Sequence, residues 1–304
     1  MAEKALALIR LDGVIYQRGH ELARLSGDQI QSVGADWLTV YLTRLCRFEK
    51  HDKRAKVWES VDCPARLATS ICAMAGEWNL PILRAVVSAP FILATGRVVE
   101  ADGYDAESGL YLDFTGAEYW EPIPTHPTLD QIKDAARELW RPFAKFPFTG
   151  PVDRGVFMAA ILTAIQRPIL PTAPGFTVDA PAAGSGKSLL AKCLSILAGV
   201  PTPEAMPPIK QGDDSEVRKR LFAACRAGAR VILFDNATGQ VESPALCAFM
   251  TAEVFSDRIL GASEIGAAPT TAMVLFTGNN ISMVGDLNRR MLRIPSAPTG
   301  CCSA

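Results

Sequence analysis

The chain has 304 residues, of which 49% are hydrophobic and 21% are charged, and its net charge is −1. This length predicts about two domains with sizeable cores, and the balanced charge excludes nucleic-acid binding through an overall basic field. Apolar runs end well short of the ~20 residues that span a membrane, and MAEKALALIRLDG lacks a secretory cleavage signal. We therefore expect a cytoplasmic location and no membrane partner.

The eight cysteines and three histidines show no spacing typical of a metal site. None of the cysteines forms a C-x-x-C pair, and the histidines lie far apart along the chain. Reduced, buried thiols are the favoured interpretation.

Residues 1–125 are predicted to form a small mixed α/β accessory domain. The segment 9–16 and the following HELARL are interpreted as short strands around a turn. GADWLTVYLTRLCRF and CPARLATSICAMAGEW have the apolar spacing of helices, the second with Pro64 in its first turn. Gly and Asp turns in ATGRVVEADGYDAESGLYLDF indicate a β meander. The Pro-rich EPIPTHPT at 121–128 predicts a domain boundary.

Residues 128–304 are predicted to form a second domain with a parallel sheet. A helical lead-in over 128–170 contains LDQIKDAARELWRPFA, capped by Thr128 or Asp130, and RGVFMAAILTAIQRP. In the core, 175–295, strands predicted over 176–179, 205–208, 230–234, 272–276 and 292–294 alternate with helices. Such alternation indicates a parallel sheet covered by helices.

The strongest motif is FTVDAPAAGSGKSLLAKCLSIL, a strand, a turn of small residues and an apolar helix. Gly184 and Gly186 let the backbone curl around a phosphate, Lys187 supplies positive charge, and Ser188 offers a hydroxyl to Mg²⁺. Pro181 replaces the usual first Gly of the pattern, but the strand and helix around the turn support the interpretation. We predict a site for ATP and Mg²⁺ made of Ala183, Gly184, Ser185, Gly186, Lys187, Ser188 and Leu189.

A second Mg²⁺-side group is predicted in RVILFDNATG. Four apolar residues carry Asp235 to the carboxyl end of a strand, the edge at which ligands bind in open α/β sheets. Asn236 stands where many ATPases have a Glu that orients the attacking water, so hydrolysis is less strongly indicated than binding. Glu253 and Asp257 are candidate replacements, although a solvated helix face is the favoured interpretation of both.

The next strand, TAMVLFTGNN, ends in polar residues, and GDLNRRMLRIP follows it. Asn279 is the candidate sensor of the γ-phosphate and attacking water; Asn280 is an alternative, or it forms a turn. Arg289 and Arg290 are candidates for an arginine that acts on a neighbouring subunit's nucleotide. A solvated pair contacting Asp286 at i, i+3 and i, i+4 is the other interpretation.

The order GSGKS, VILFDN, DRILG, FTGNN, GDLNRR resembles the ATPase module of superfamily-3 helicases within the AAA+ class, and most closely that of phage, plasmid and poxvirus-type primase–helicases. VVSAPFILATGRVVEADGYDAESGL and the approach to the P-loop from KFPFTGP are also similar to segments of those proteins. The resemblance implies that GSGKS is the Walker A loop and Asp235 the Walker B acid. It further implies that Asn279 is the motif-C Asn and that Arg289 or Arg290 is the arginine finger.

The resemblance also implies DNA as a partner and self-association into a ring, most commonly a hexamer. The segment matching the family's DNA-touching hairpin is SDRILGASEIGAAPTTA, with Arg258 as its main cation. Relative to the family, the chain is expected to be shortened at both ends, without a primase segment and ending at PSAPTGCCSA. The expected function is that of an ATP-hydrolysing, DNA-helicase-like replication protein of a phage or mobile element. The alternatives are a ring-forming or remnant nucleotide-binding protein without unwinding activity, and a small-molecule P-loop kinase.

Overall fold

A computed structural model describes residues 1–27, 29–114, 123–180, 185–210, 212–259 and 265–296. In these ranges the N-terminal half contains three helices, α1 (Ala2–Asp12), α2 (Ala35–Leu45) and α3 (Ala65–Cys72). Its strands are β1 (Ile15–Arg18), β2 (Glu21–Ser26), β3 (Gln29–Ser32), β4 (Phe48–Asp52), β5 (Val57–Val61), β6 (Ala85–Val87), β7 (Phe91–Ile92), β8 (Val98–Val99), β9 (Gly103–Asp105) and β10 (Leu110–Leu112).

The beginning of the chain differs from the sequence prediction. The strand predicted over 9–16 is wrong for its first part, because residues up to Asp12 belong to α1. Ala, Glu, Lys and Leu are strong helix formers, and Leu6 and Ile9 are buried on one face of this helix. Gly13 then adopts a left-handed conformation, with φ of 71°, and its N–H donates to the Ile9 carbonyl at 3.2 Å. The strand therefore begins only after this helix C-cap.

The other helices and strands predicted in the N-terminal half agree with the structure. The strand predicted in HELARL is β2, which pairs antiparallel with β1 and β3. The two predicted helices are α2 and α3, and Pro64 is the N-cap residue of α3. The meander consists of the antiparallel pair β7–β8 and of β9 and β10, with β6 parallel to β10 on its other side.

The C-terminal half contains five α-helices in the described ranges, α4 (Leu129–Trp140), α5 (Pro151–Gln166), α6 (Lys187–Leu197), α7 (Asp214–Arg226) and α8 (Pro244–Thr251). Its strands are β11 (Gly175–Ala180), β12 (Ala205–Met206), β13 (Val231–Val241), β14 (Val254–Arg258), β15 (Ile265–Pro269), β16 (Met273–Met283) and β17 (Met291–Pro295). Short 3₁₀ helices span Arg141–Phe143 and Gly285–Arg289. The predicted capping of α4 by Thr128 is confirmed, since its side chain accepts from the Gln131 N–H in a capping box.

Five strands form a parallel sheet in the order β12–β13–β16–β11–β17. Alternate residues of its strands enter two separate apolar layers. Leu233 and Leu275 pack with α5 and α6 on one face, whereas Phe234 and Phe276 pack with α7 and α8 on the other. The observed fold is therefore a mixed α/β fold with a five-stranded parallel sheet flanked by helices, which fits a P-loop-like architecture.

Two central strands are longer than predicted. The predicted strands end at 234 and 276, but β13 and β16 remain paired as far as Val241 and Met283. The register shifts between Phe234 and Ala237, which places a bulge directly at the predicted Walker B position. Beyond the bulge the two strands form an extended ribbon that leads to α8 and to the 3₁₀ helix at Gly285–Arg289.

Hydrogen bonds from two arginines connect the two halves of the chain. Arg18 of β1 is buried and donates to the carbonyl oxygens of Leu83 at 3.1 Å and of Cys225, at the end of α7, at 2.7 Å. Burial lowers the pKa of Arg18 to about 10. Arg230 donates to the Val86 carbonyl at 2.7 Å. The predicted boundary at 121–128 stays a prediction, and its first two residues lie outside the described ranges.

The β4–β5 hairpin of the N-terminal half and the β14–β15 hairpin of the C-terminal half are each a separate two-stranded sheet, and the two have different surroundings. The β4–β5 hairpin is exposed along β5, whereas β14–β15 packs against α7 and buries Phe255. Ala267 of β15 also meets the turn between β1 and β2: a Cβ atom on Gly19 would lie 1.9 Å from the Ala267 oxygen. Across the described ranges, no helix is both long and apolar enough to cross a bilayer.

Candidate functional site

The predicted phosphate loop lies between the end of β11 and the start of α6. Gly186 is the N-cap residue of α6, and its φ of 81° is in the left-handed region that favours glycine. Lys187, Ser188 and Leu189 form the first turn of the helix, whose N–H groups have no partners within the helix. Such an N-terminus attracts anions. Ala183 and Gly184 lie outside the described residues.

Lys187 lies between the loop and the neighbouring strand. Its side chain is nearly buried, and Nζ donates to Asn279 Oδ1 at 2.8 Å and to Ser185 Oγ at 3.0 Å. The parallel register explains this contact, because Ala180 at the end of β11 is paired with Asn279 on β16. The structure thus brings together the predicted phosphate-binding lysine and the predicted sensor asparagine.

Asp235 lies on the other side of β16 and is held by a residue that sequence analysis did not single out. The buried hydroxyl of Thr277 donates to Asp235 Oδ1, and the Asn236 N–H donates to the same hydroxyl oxygen at 3.4 Å. Asp235 and Asn236 together oppose Thr277 in the β-bulge. A hydroxyl residue after an apolar strand and before glycine, as in FTGNN, is the only sequence signal for this role.

Asn236 does not take the place of a catalytic carboxylate in this geometry. It is exposed and has a left-handed backbone with φ of 58°. Its Nδ2 atom donates to Asp235 Oδ2 at 3.3 Å, so the amide supports the aspartate. An amide lacks the basicity needed to accept a proton from water. In this arrangement Asn236 orients Asp235.

A second buried carboxylate lies on β11 directly before the loop. Asp179 forms an ion pair with Arg293 of β17, and its Oδ1 accepts from the Ile281 N–H of β16 at 3.2 Å. The side chain of Asp179 is almost completely buried. It therefore links the three strands that surround the loop, a positioning role that its place in the sequence did not reveal.

The oxygen atoms at this edge suit Mg²⁺. Asp235 is half-buried with both carboxylate oxygens hydrogen-bonded, and Ser188 offers an exposed hydroxyl at the start of α6. Mg²⁺ prefers one or two protein oxygens together with water and phosphate oxygens. Residues of β16 contact both opposite charges, Lys187 through Asn279 and Asp235 through Thr277.

The arginine candidates lie at the far end of the β13–β16 ribbon. Arg289 ends the 3₁₀ helix Gly285–Arg289, and Arg290 is its C-cap residue. Arg289 Nη2 lies 3.0 Å from Asp286 Oδ1, and Arg290 Nη1 lies 3.2 Å from Asp286 Oδ2. These are the i, i+3 and i, i+4 contacts expected of the solvated pair. The side chains differ in exposure, which is 71% for Arg289 and 20% for Arg290.

The predicted DNA-touching hairpin corresponds to β14–β15. Arg258, at the end of β14, is exposed, but residues 260–264 at the tip lie outside the described ranges. Glu253 and Asp257 are not on a helix as expected: Glu253 lies at a bend, and Asp257 lies on β14, paired with Arg218 of α7 at 3.3 Å. Asp257 is thereby occupied in packing the hairpin against α7.

No protein-family model matches this chain, and no curated protein matches it. Similar solved structures include two A-form apo structures of the NrS-1 C-terminal region, each with 10% identity over 96% of this chain and 60% or 61% of its own, at TM-scores of 0.46 and 0.47. The SCCmec type IV Cch active helicase has 11% identity over 93% of this chain and 59% of its own, at a TM-score of 0.33. This chain spans about 60% of the length of the solved chains that it resembles. Likenesses this weak do not bear on function.

Proposed function

We propose that this protein binds ATP with Mg²⁺ at the edge formed by β11, β13 and β16, and hydrolyses it. The observation that carries the proposal is the hydrogen bond between Lys187 and Asn279, on a strand that also holds Asp235 through Thr277. The polar end of β16 thus contacts both Lys187, which is proposed to bind phosphate, and Asp235, which is proposed to bind Mg²⁺. Phosphoryl transfer depends mainly on such positioning and on charge neutralisation.

In the proposed mechanism, the start of α6 and Lys187 hold the β- and γ-phosphates. Lys187 moves its hydrogen bond from Asn279 Oδ1 to a phosphate oxygen, which is the stronger acceptor for a lysine. Asn279 then donates from Nδ2 to the γ-phosphate or accepts from water at Oδ1. Asp235 and Ser188 would hold Mg²⁺, which would supply positive charge to the phosphate oxygens. Thr277 and Asn236 keep the Asp235 carboxylate in place.

The first experiment is titration calorimetry of MgATP binding to Lys187→Ala. We expect a loss of affinity of at least tenfold, since the residue that contacts the phosphates is removed. The matched control is Lys192→Ala, because Lys192 is an exposed lysine of the same helix. Equal affinities for the wild type and Lys187→Ala would rule out the phosphate site.

Asp235→Ala separates binding from turnover at the same site. We expect the variant to retain much of its nucleotide binding but to lose Mg²⁺-dependent hydrolysis. Normal turnover by Asp235→Ala would show that another acid holds the metal.

We further propose a ring, most simply a hexamer, in which Arg289 reaches the neighbouring subunit's nucleotide. Arg289 is favoured over Arg290 because its side chain is far more exposed. An arginine supplied in trans raises turnover by about 10³–10⁵-fold in well-studied systems. Activity per subunit should then rise with protein concentration.

A mixing experiment tests the ring. A Lys187→Ala variant, with intact arginines, should restore turnover to an Arg289→Ala/Arg290→Ala double variant, since one subunit supplies the pocket and the other the arginine. Full, concentration-independent activity of the double variant would support the solvated pair held by Asp286.

Within this framework we propose a DNA-helicase-like replication role in a phage or mobile element. DNA-stimulated ATP turnover is the expected signature of that role. The position of Asn236 favours one alternative, a nucleotide-binding ring or remnant protein without unwinding activity, because no carboxylate follows Asp235. Nucleotide binding without DNA stimulation would support this alternative.

A further inference from the structure

The β4–β5 hairpin is a projecting arm with positive charge concentrated at its tip. Residues 48–61 include four Lys and Arg residues and three acids, in a chain whose net charge is −1. Three of the cations, Lys53, Arg54 and Lys56, lie in the turn at the tip of the hairpin. The charge is therefore concentrated at the most accessible part of this element.

The cations of the arm are not neutralised by the rest of the described chain. Within those ranges, Lys50, Lys53, Arg54 and Lys56 form no ion pair. This contrasts with helix α4, where each of the cations Lys133, Arg137 and Arg141 pairs with an acid on the same helix surface.

Two of the three acids of the hairpin are already engaged, whereas Glu59, opposite Lys50 on β5, forms no ion pair within the described ranges. Glu49 pairs with Arg47 at 3.1 Å. Asp52 Oδ1 accepts hydrogen bonds from the backbone N–H groups of Arg54 at 2.7 Å and Ala55 at 3.3 Å, which shapes the turn. Because Asp52 holds the turn backbone, the tip cations keep their positions around it while their side chains stay exposed.

An aromatic ring accompanies these cations. The side chain of Trp58 is 65% exposed although tryptophan is among the most strongly buried side chains on average. His51 lies opposite it across the strands, with ring centroids 5.1 Å apart. The ring pair leaves an apolar surface on one face of the hairpin, next to the basic tip.

A concavity lies at the root of the hairpin. It has a volume of about 590 Å³, and its lining includes Arg44 of α2, Arg47 between α2 and β4, and Asp62 after β5. Arg44 has no ion pair within the described ranges. Cationic side chains thus lie at both ends of the arm, with Trp58 between them.

We propose that the β4–β5 hairpin is a binding surface for single-stranded nucleic acid, separate from the proposed nucleotide site. Unpaired cations attract phosphates, and an exposed ring offers a stacking surface to any base. Single strands are favoured over a duplex because stacking on Trp58 requires an unpaired base. The charge disfavours an apolar protein partner, whose docking would desolvate the tip lysines.

The experiment measures fluorescence anisotropy of a labelled oligothymidine, of about 20 nucleotides, with the full chain in the absence of nucleotide. The triple variant Lys53→Gln/Arg54→Gln/Lys56→Gln is compared with Lys133→Gln/Arg137→Gln/Arg141→Gln, which removes the same charge from α4. We expect the hairpin variant to lose affinity by about tenfold or more at ~0.1 M salt, with its salt slope reduced by about 2. The α4 variant should bind as the wild type does.

Substitutions of Trp58 test the contribution of base stacking separately from that of charge, because they leave the net charge unchanged. Trp58→Ala should weaken oligothymidine binding by about five- to a hundredfold, and Trp58→Phe should restore part of the affinity. Quenching of tryptophan fluorescence by the oligonucleotide should be largely lost in Trp58→Phe.

Several outcomes would overturn the proposal. These are no binding by the wild type, equal losses for the two triple variants, or unchanged affinity of Trp58→Ala. Equal binding to a duplex with no effect at Trp58 would likewise indicate a phosphate-only contact. Lys187→Ala should leave oligonucleotide binding intact, so failure at the hairpin and failure at the nucleotide site are distinguishable.

Discussion

The β4–β5 and β14–β15 hairpins each pair five residues per strand, yet the protein uses them differently. β14–β15 packs Phe255, the second residue of β14, against Phe249 of α8 and meets Gly19 of the N-terminal half. β4–β5 leaves Trp58, the second residue of β5, in solvent. Two hairpins of equal strand length can therefore have different roles, because packing decides whether an aromatic side chain is buried in the core or left exposed for a binding partner.

The largest expected difference is in stability. Phe255→Ala should lower the free energy of unfolding by about 3–5 kcal/mol, because it empties a buried aromatic position. Trp58→Ala should change it by no more than about 0.5 kcal/mol, since an exposed ring loses little packing. Urea denaturation of both variants measures the contrast. Similar losses would mean that β4–β5 is packed against another part of the protein and is not an arm.

The contact between the hairpin and the N-terminal half is tested at Gly19. Gly19→Ala should destabilise the protein by about 3 kcal/mol, because the new methyl group adds a clash with the Ala267 oxygen to the strain of a left-handed backbone. Gly27→Ala is the matched control, with φ of 60° against 58° for Gly19 and no atom within 4 Å of its Cβ position. It should cost only about 1 kcal/mol.

The thermal unfolding midpoints of the two glycine variants report this difference. Hydrogen exchange at the β14–β15 amides should also rise in Gly19→Ala alone. Equal midpoints would indicate that the two halves separate without strain at this contact.

The smallest expected effect is at Arg258. If β14–β15 contributes one phosphate contact, Arg258→Gln should lower oligothymidine affinity by less than about threefold and the salt slope by about 0.7. The same anisotropy titration over a range of salt concentrations provides the measurement. A loss larger than that of the β4–β5 triple variant would move the main nucleic-acid contact to the hairpin predicted from the family resemblance.

The parallel sheet was predictable because its strands are short apolar runs separated by helical patterns. The continuous apolar runs at 231–234 and 272–276 were visible in the sequence, and their residues are divided between two helical layers because both faces of the sheet are covered. The extension of β13 and β16 was not predictable, since GQV and ISM follow polar residues that resemble a turn. Their pairing depends on a neighbour that lies far away in the sequence.

The motifs predicted which residues belong to the candidate site, but not which residues hydrogen-bond to them. The motif pattern singled out Lys187, Asp235 and Asn279, which the structure brings to one sheet edge. Thr277 and Asp179 were missed because their roles arise from strand order: each acts on a residue of an adjacent strand, more than forty positions away. The cost of burying their polar atoms is offset only by those distant partners.

The ribbon formed by β13 and β16 has a mechanical consequence. From Asn279 to Met283 it extends about 13 Å beyond the loop edge, and the Val284 N–H donates to the Val241 carbonyl at 3.1 Å where it ends. The ribbon therefore joins Asn279 at one end to the turn carrying Asp286 at the other, through a second register irregularity between Thr238 and Gly239. If phosphate binds as proposed, a displacement of Asn279 would have a continuous hydrogen-bonded connection to the surface that carries Arg289.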